Sequence, residues 1–388
     1  MGKSTSEAKR EVAVFSLASF FNDLGSDMIK PIWPFFITTY LGLDALYLGL
    51  IDGFGYFIEY SSQVLSGYLS DRWKKYKSIV VLGYLMSGLS RIGYALSNGW
   101  FSVFASHVLL DRFGKIRDAP RDAYVSIHTK RLRGASFGLL RSMDNLGAVI
   151  GILITFFVFD HVGYRNLFLL AAIPSLISAG LVFGFVRERS LKRKRENWDI
   201  RSILSNRTLL IYFFSVLLLG LSMISRSFFL LYAKQLGFSI DDTTLFYLIM
   251  ILPAIVLGYP IGRLIDYIKV KHDEKTVSKS FLLVGYTIYL IFLLGLMSVK
   301  DASMLWIIFP MYGVFYAMHN VSYRVLLSNL STEDYRGTTY GMYRLLLGVS
   351  MLIGIFLAGV LWHTFGPYAM FMFAISCAML SIGILAFV

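Results

Sequence analysis

Long apolar stretches separated by short polar segments follow one another along the whole chain. About 20 consecutive apolar residues are enough to cross the hydrocarbon core of a bilayer as an α-helix. Such stretches are visible at residues 12–40, 45–70, 78–97, 100–127, 135–159, 165–186, 207–234, 242–268, 278–298, 302–329, 337–361 and 366–388. The pattern predicts an all-α membrane protein with twelve transmembrane helices.

Basic residues are concentrated in alternate loops. Lysine and arginine clusters follow the second, fourth, sixth and eighth apolar stretches, whereas the intervening loops, such as SNGW and GFSIDD, are short and poor in these residues. Cytoplasmic loops of membrane proteins carry an excess of Lys and Arg. The alternation therefore predicts that both termini are cytoplasmic, together with the basic segment that follows the sixth stretch.

The two halves of the chain repeat each other. Paired residues late in each half are 203 positions apart (336 − 133 = 203), and earlier pairs are 195 apart (266 − 71 = 195). These pairs are Arg121/Arg324, Arg133/Arg336, Arg141/Arg344, Gly151/Gly354, Gly67/Gly262 and Asp71/Asp266. The repeat predicts two pseudo-symmetric six-helix bundles, residues 1–186 and 207–388, joined by a basic cytoplasmic linker over residues 187–206.

The amino-acid composition agrees with a membrane protein and indicates which partners its charged loops would meet. Of the 388 residues, 56% are hydrophobic and 16% are charged, against roughly 45–50% and about 25% in soluble domains. The formal net charge of +13 is carried by loops that would meet anionic lipid headgroups. We expect membrane lipids as partners, and no nucleic acid. Cys377 is the only cysteine, which excludes intrachain disulfides and thiolate metal clusters.

The first two apolar stretches each carry charges on one face. At about 100° per residue, Asp23, Asp27 and Lys30 fall within about 60° of one another on a helix. Asp52 and Glu59 share a face of the second stretch in the same way. Charged groups at the centre of a bilayer cost about 2.5–3.5 kcal/mol each and mark aqueous paths. The two stripes therefore predict the walls of a water-accessible cavity, and a closed Asp27–Lys30 ion pair at i,i+3 is the alternative for that pair.

The repeat separates shared groups from groups present in one half only. Residues found in both halves are expected to serve packing and gating, whereas asymmetric residues are expected to serve substrate and coupling ion. Carboxylates inside the membrane lie almost wholly in the first half, and several arginines could meet an anionic substrate. The candidate substrate-binding or proton-coupling residues are Asp23, Asp27, Lys30, Asp52, Glu59, Arg141, Asp144, Arg226, His319, Arg324 and Arg344.

Two motifs resemble those of the major facilitator superfamily. The loop GYLSDRWKK is similar to the family signature Gly-x-x-x-Asp-Arg-x-Gly-Arg-Lys/Arg, with Lys74 in place of the second glycine. The segment DRFGKIRDAPRDA, residues 111–123, resembles the DRxGKGIRxAPRDA motif of a prokaryotic subgroup, with one residue fewer after Lys115. The resemblance covers essentially the full chain.

This resemblance implies a secondary active transporter that works by alternating access and closes with a cytoplasmic gate. The family's antiporter-type motif Gly-x-x-x-Gly-Pro reads GAVIGI here, with Ile152 in place of proline, and it leans towards export. The residues that we assign to the cytoplasmic gate are Gly67, Asp71, Arg72, Arg112, Arg121 and Asp266.

Catalytic and nucleotide-binding motifs are missing from the sequence. It contains no Walker A, HExxH or Cys/His cluster. His107 and Asp111 come nearest to a catalytic pair, and no third partner is evident for them. We expect no enzymatic activity, no cofactor and no metal. Transport without an ATP site must run on ion gradients.

Two substrate classes stay open. The carboxylates favour proton-coupled export, by antiport, of a small organic or lipophilic compound, which is an efflux function. The cations favour an organic anion such as a carboxylate, a phosphate ester or a lipid headgroup. A membrane receptor without transport is a third alternative. We expect a monomer in the cell membrane with protons and a small-molecule substrate as partners.

One residue is predicted to couple protons to transport. Asp27 is the predicted coupling acid, because a carboxyl that moves between wet and dry surroundings near Lys30 could bind and release a proton in each cycle. Asp23 is predicted to lie nearer the substrate. Asp144 is the second candidate for the coupling acid.

Overall fold

The computed structural model of the protein describes residues 2–73, 75–128, 133–188, 203, 205–332 and 335–388. Over these residues the chain is helical and forms no β-strand, which confirms the all-α prediction. Most of the predicted linker, residues 187–206, lies outside the described residues.

The chain divides into two compact units. The first comprises Met1–Tyr47 and Phe54–Arg195, and the second comprises Leu48–Gly53 and Glu196–Val388. The boundaries at 1–186, 187–206 and 207–388 stay a prediction, because most of the linker is not described.

The first unit is built on long helices joined by short irregular ones. Its longer helices are α1 (Gly2–Ile29), α2 (Ala45–Trp73), α3 (Tyr76–Leu96), α4 (Asp118–His128) and α5 (Arg133–Phe185). A short helix, Trp33–Phe35, and a π-helix, Phe36–Tyr40, follow α1. Both α1 and α3 pack chiefly against α5. The core between them contains the buried side chains of Phe15, Tyr84 and Val182.

The second unit contains seven helices of ten residues or more among the described residues. They are α6 (Arg207–Ser222), α7 (Arg226–Gln235), α8 (Ile240–Ile268), α9 (Glu274–Met297), α10 (Leu305–Leu330), α11 (Arg336–Phe365) and α12 (Pro367–Leu385). Within this unit α10 packs against α8 and α9, and α6 packs against α11 and α12.

Eight helical segments of the described chain are long and apolar enough to cross a membrane. One of them, Gly134–Phe185, has 52 residues, which at about 1.5 Å per residue is more than twice the ~30 Å of a bilayer core. Gly163 interrupts it with a φ of 70°, so α5 supplies two of the predicted spans. The polar helices α1 and α2 and the segment 100–128 are not among the eight. The count of twelve spans and the cytoplasmic termini stay a prediction.

The first helix of each half is interrupted at an equivalent position. In the first half α1 ends at Ile29 and the helix resumes at Trp33, because Pro31 and Pro34 lack the backbone N–H that would continue the hydrogen bonding. In the second half the break lies between α6 and α7. Lys30 corresponds to Ser225 by the repeat (225 − 30 = 195). The apolar runs 12–40 and 207–234 are therefore each interrupted, which their hydrophobicity does not indicate.

A tyrosine replaces the helical hydrogen bonds that are lost in the second break. The Tyr289 hydroxyl donates to the carbonyl oxygen of Ser222 at 2.6 Å and accepts from the backbone N–H of Ile224 at 3.4 Å. Unpaired backbone groups are costly inside a membrane protein. The buried Tyr289 therefore makes the interruption tolerable.

The fourth apolar stretch is irregular rather than one α-helix. It consists of Trp100–Phe104, a π-helix over Ala105–Arg112, a 3₁₀-helix over Phe113–Arg117, and α4. The tighter 3₁₀ segment contains the point where the chain has one residue fewer than the motif it resembles. π-Bulges inside helices are frequent at functional sites. The stretch thus places its charged side chains at angular positions that differ from those on a regular α-helix.

Glycines permit a close crossing of α1 and α5. A Cβ added at Gly147 would meet the carbonyl oxygen of Phe20, and one at Gly151 would meet that of Leu24. In the second unit a Cβ at Gly354, the repeat partner of Gly151, would meet the carbonyl oxygen of Leu221. The glycines that the sequence matched to an antiporter motif thus hold helix backbones in contact.

Candidate functional site

Four helices of the first unit bring a pair of carboxylates together with an arginine. Asp144 on α5 is buried at 8% exposure, and Asp23 on α1 and Arg121 on α4 are among the charges that act on its carboxyl. Arg121 Nη1 donates to Ser19 Oγ at 2.6 Å, and Ser19 Oγ lies 3.2 Å from the Tyr84 hydroxyl. We call Ser19, Asp23, Tyr84, Arg121 and Asp144 the carboxylate cluster.

One oxygen of this cluster has no hydrogen-bond partner in the part of the chain that the structure describes. Asp144 Oδ1 is buried and accepts no hydrogen bond from the described residues, while Oδ2 lies 3.8 Å from Arg141 Nη1. The Arg141 side chain is 66% exposed. The Asp23 carboxylate accepts a hydrogen bond from Asn22 Nδ2 at 3.0 Å. A buried carboxyl oxygen without a donor is costly when charged, so Asp144 is well placed to carry a proton.

Asp27 and Lys30 form the closed pair that the sequence offered as the alternative. Lys30 Nζ lies 2.8 Å from both carboxylate oxygens of Asp27. The Asp27 side chain is 5% exposed, whereas that of Lys30 is 39% exposed. The pair lies at the break after α1. Its geometry neutralises Asp27 without any further residue.

Glu59 on α2 forms an ion pair with Arg112. Arg112 Nη1 lies 2.5 Å from Glu59 Oε2, and its guanidinium packs 4.8 Å from the centre of the Tyr56 ring. Arg112 Nε donates to His107 Nε2 at 3.0 Å. Arg112 was assigned to the cytoplasmic gate, and the structure places it beside a residue of the predicted cavity wall.

Two further arginines of the first unit form ion pairs, and that of Arg91 was not predicted from the sequence. Arg91 on α3 is fully buried and donates to Asp111 Oδ1 at 2.9 Å and to Ser26 Oγ at 2.6 Å. Arg117, in the charged segment 111–123, is also buried. Its Nε lies 3.8 Å from Asp118 Oδ1, and its Nη1 donates to Ser87 Oγ at 2.8 Å. An arginine within an otherwise apolar stretch is itself a signal, because an unpaired charge there is costly. That signal could have identified Arg91.

Asp52 lies in the part of α2 that groups with the second unit. It is buried at 1% exposure, and its Oδ2 accepts hydrogen bonds from Ser225 Oγ and Ser227 Oγ, both at 2.6 Å. Ser225 also caps the start of α7. Asp52 is thus tied to the interrupted helix of the second unit.

The second unit holds a histidine among stacked tyrosines. His319 on α10 is buried, and its Nε2 lies 3.1 Å from the Tyr343 hydroxyl. The ring of Tyr343 stacks on that of Tyr323 at 4.7 Å and 5°. His319 Nδ1 and the hydroxyls of Tyr212 and Tyr286 are buried without a hydrogen-bond partner among the described residues. The surroundings of His319 are thus aromatic and weakly polar, in contrast to the charged clusters of the first unit.

The cations of the second unit contact aromatic rings. The Arg324 guanidinium lies 5.6 Å from the centre of the Tyr323 ring, and Arg324 Nε donates to the Tyr323 hydroxyl at 3.2 Å. The Arg226 guanidinium lies 5.2 Å from the centre of the Tyr247 ring. Arg344 is half-buried on α11.

The structure describes the predicted gate only in part. The side chain of Asp71 lies outside the described residues, and nothing near Gly67 would meet a Cβ there. Arg72 Nη1 donates to the Tyr68 hydroxyl at 3.3 Å. Asp266 forms an ion pair with Lys269 at 2.8 Å, and hydrogen bonds to Asp266 and then to Glu274 raise the pKa of Lys269. The gate assignments stay a prediction.

Comparisons with known proteins agree with this architecture. The sequence model of the Major Facilitator Superfamily matches residues 15–355. The uncharacterised MFS-type transporter MJ1317 of Methanocaldococcus jannaschii is 30% identical to the chain, over 98% of the chain and 96% of that protein. Multidrug resistance protein MdtH of Enterobacter sp. (strain 638) is 32% identical over 34% of the chain and 33% of its own length.

A solved structure has a similar fold. The crystal structure of the nucleoside transporter NupG aligns with a TM-score of 0.78 over 97% of the chain and 98% of that protein, at 14% sequence identity. At this identity the likeness concerns the fold alone. The family match covers both halves, and the interrupted, polar helices are those expected of a membrane transporter. The chain is a multi-pass membrane protein that belongs to the Major Facilitator Superfamily.

Proposed function

We propose that this protein is a proton-coupled secondary transporter of the cell membrane that exports a small organic or lipophilic compound by alternating access. The observation that carries the proposal is the carboxylate cluster of the first unit, in which Asp144 Oδ1 is buried with no donor among the residues that the structure describes. The repeat supports it as well, because Asp23 and Asp144 correspond to Leu218 and Leu347 in the second half (218 − 23 = 195; 347 − 144 = 203). Gating symmetry does not require either carboxylate.

The surroundings of the two candidate acids rank them. Asp27 has Lys30 on both oxygens, so a proton on Asp27 would have to displace a lysine. Asp144 Oδ1 has no donor among the described residues, and a second carboxylate, Asp23, acts on Asp144 together with Arg121 and the Ser19 hydroxyl. Two neighbouring carboxylates bind one proton more readily than either does alone. We therefore favour Asp144, with Asp23, over Asp27 as the coupling acid.

The export of a lipophilic compound is supported by two further observations. The second unit offers stacked aromatic side chains around His319, and aromatic surfaces suit lipophilic substrates, including organic cations. The similarity to the MdtH multidrug resistance proteins points the same way, over about a third of the chain.

An organic anion is the second candidate substrate. Arg324 favours it, because that partly buried guanidinium contacts the Tyr323 ring and hydroxyl rather than a carboxylate of the described residues. Arginine is the residue best suited to hold carboxylate or phosphate groups. The position of Arg324 on α10 would place such a group in the second unit.

A binding and transport panel separates these candidates. Purified protein in proteoliposomes is offered lipophilic cations, such as ethidium and tetraphenylphosphonium, and organic anions, each at acidic and at alkaline pH. We expect a proton gradient to drive movement of the cations, and we expect their binding to depend on pH. Transport of anions alone, abolished by Arg324→Gln, would favour the second candidate. The absence of flux for every compound, with binding retained, would favour a receptor.

A further inference from the structure

His107 lies in the π-helix of the first unit, enclosed by aromatic rings. Its side chain is buried at 4% exposure, and its imidazole stacks on Trp33 at 4.5 Å and 19°. A Cβ added at Gly55 would lie 2.9 Å from His107 Nε2, so the backbone of α2 closes the remaining side. Because the ring is held in one position, the atoms next to its two nitrogens determine its protonation state.

Both ring nitrogens have polar partners, and these determine the tautomer. Arg112 Nε donates to His107 Nε2 at 3.0 Å, and the Tyr94 hydroxyl lies 3.0 Å from Nδ1. A guanidinium only donates hydrogen bonds. His107 Nε2 must therefore accept, so the imidazole is neutral and its proton is on Nδ1, from which it donates to the Tyr94 oxygen.

Arg112 links this histidine to the predicted cavity wall. Through Nη1 it forms the ion pair with Glu59 Oε2, while its Nε is held by His107. Asp111 also faces the site. Its Oδ2 lies 3.9 Å from Arg112 Nε, its Oδ1 is held by Arg91, and Lys115 acts on its carboxylate as well. One guanidinium thus joins a neutral imidazole to a carboxylate that is 19% exposed.

A proton on His107 cannot coexist with this arrangement. The added proton would sit on Nε2, which then becomes a donor facing the N–H of Arg112, and two positive groups would lie at hydrogen-bond distance. We propose that His107 Nε2 is a proton-binding site, separate from the carboxylate cluster, and that its protonation displaces Arg112 from Glu59. Glu59 then loses its cation and is free to accept another one, such as an organic cation, within the first unit.

The inference deepens the proposed proton coupling, on which its role in transport rests. The geometry gives it a direction as well. A proton arriving at His107 replaces Arg112 and exposes a carboxylate, whereas loss of the proton restores the Arg112–Glu59 pair. Proton binding at His107 would therefore favour cation binding at Glu59, whereas the exchange of cation for proton in the proposed export is assigned to the carboxylate cluster.

The state of the imidazole can be read directly by nitrogen NMR on the full-length protein in lipid. The protein is labelled with ¹⁵N-histidine, and His107→Gln identifies the His107 signals among the six histidines. We expect the Nδ1–H tautomer at alkaline pH, with conversion to imidazolium on acidification. An Nε2–H tautomer at alkaline pH would overturn the proposal. The tautomer is measured on the wild-type protein, and His107→Gln is needed only to assign the signals.

The coupling to Arg112 is tested by a second variant. Arg112→Met removes the donor and the charge that oppose protonation of Nε2, so the midpoint of the His107 titration should rise by about one pH unit or more. Arg263→Met, which removes an exposed arginine of α8 in the second unit, is the matched control and should leave the midpoint unchanged. An unchanged midpoint in Arg112→Met would overturn the proposal.

The effect on transport distinguishes this site from the proposed function. His107→Gln keeps an oxygen that can accept from Arg112 but cannot bind a proton at these pH values. Ethidium is the probe. We expect the change in ethidium affinity between acidic and alkaline pH to be at least threefold smaller in His107→Gln than in the wild-type protein. If His107 titrates as expected but no variant affects gradient-driven flux, proton coupling is wrong and the proton site stands. If flux depends on protons and His107→Gln retains the full pH profile, the role of His107 is wrong and coupling stands.

Discussion

Asp27 and Lys30 illustrate how one residue's surroundings decide between two roles. Asp27 is the coupling acid predicted from the sequence, whereas in the structure Lys30 Nζ donates to both of its carboxylate oxygens. Removing one partner of a buried ion pair leaves an uncompensated charge and typically costs about 3–5 kcal/mol, whereas replacing both partners is often neutral. The Asp27–Lys30 pair can therefore be tested by removing it as a unit.

We predict that Asp27→Asn combined with Lys30→Met keeps gradient-driven accumulation of substrate in proteoliposomes. The single variant Lys30→Met should lower thermal stability, because the buried Asp27 carboxylate loses its partner, and the double variant should restore most of it. If the stable double variant exchanges substrate but does not accumulate it, Asp27 is the coupling acid, as the sequence suggested.

Two tyrosines on α9 differ in whether their hydroxyls have partners. Tyr289 donates to the Ser222 carbonyl and accepts from Ile224 N–H, while the Tyr286 hydroxyl is buried without a partner among the described residues. We predict that Tyr289→Phe lowers the free energy of unfolding by about 1 kcal/mol. Tyr286→Phe should leave it unchanged or raise it, as measured by thermal denaturation in detergent.

The Tyr289→Phe variant serves as the control for this comparison. Equal destabilisation by both substitutions would mean that the Tyr286 hydroxyl has a partner, such as a buried water.

At the scale of helices, the apolar pattern predicted most of the fold but not its irregularities. The runs located the helices because hydrophobicity over 20 residues is a strong signal, and the repeat offsets placed Gly151 and Gly354 at equivalent helix crossings. The break at 223–225 could not be predicted, since it depends on Tyr289, a residue far away in the chain. The π-helix at Ala105–Arg112 was likewise not evident, because its hydrogen-bonding pattern leaves no composition signal.

The same limit applies to the candidate site. Charged residues within apolar stretches were found from the sequence, but partners distant in the chain were not. Glu59 pairs with Arg112 across 53 positions, and the sequence assigned these two residues to different roles. The sequence relates His107 only to Asp111, because its contacts with Trp33 and Tyr94 exist only in the folded chain.

The crossing of α1 and α5 gives a prediction for one helix pair. A side chain at Gly151 would meet the α1 backbone, so Gly151→Ala should destabilise the protein by about 1–3 kcal/mol. Gly180, on the same helix, has open space where a Cβ would lie. Gly180→Ala is therefore the matched control and should be neutral or slightly stabilising. Equal melting temperatures for the two variants would contradict the close crossing.

For the whole molecule, the alternation of basic loops predicts a topology. Asn98 and Asp301 should be outside and Lys271 inside the cell. Single cysteines at these positions, on a Cys377→Ser background, can be labelled with a membrane-impermeant maleimide in intact cells. We expect labelling at 98 and 301 and none at 271 until the membrane is opened. Labelling of position 271 alone in intact cells would reverse the topology.

The predicted cytoplasmic gate also belongs to this scale. Asp71 and Asp266 are equivalent in the repeat, and both are proposed to hold the inner side closed. Asp71→Asn should increase the labelling of inner-side cysteines and slow substrate exchange more than it weakens binding. Unchanged accessibility of those cysteines in Asp71→Asn would remove Asp71 from the gate.

The central claim, that a buried carboxylate of the first unit couples protons to transport, is tested most directly by substrate accumulation in proteoliposomes with and without a pH gradient. We predict that Asp144→Asn loses gradient-driven accumulation but still exchanges substrate across the membrane, and that Asp144→Glu retains part of the accumulation. Asp160→Asn, an exposed carboxylate on the same helix, should behave as wild type. Accumulation by Asp144→Asn on a proton gradient, equal to that of wild type, would contradict the claim.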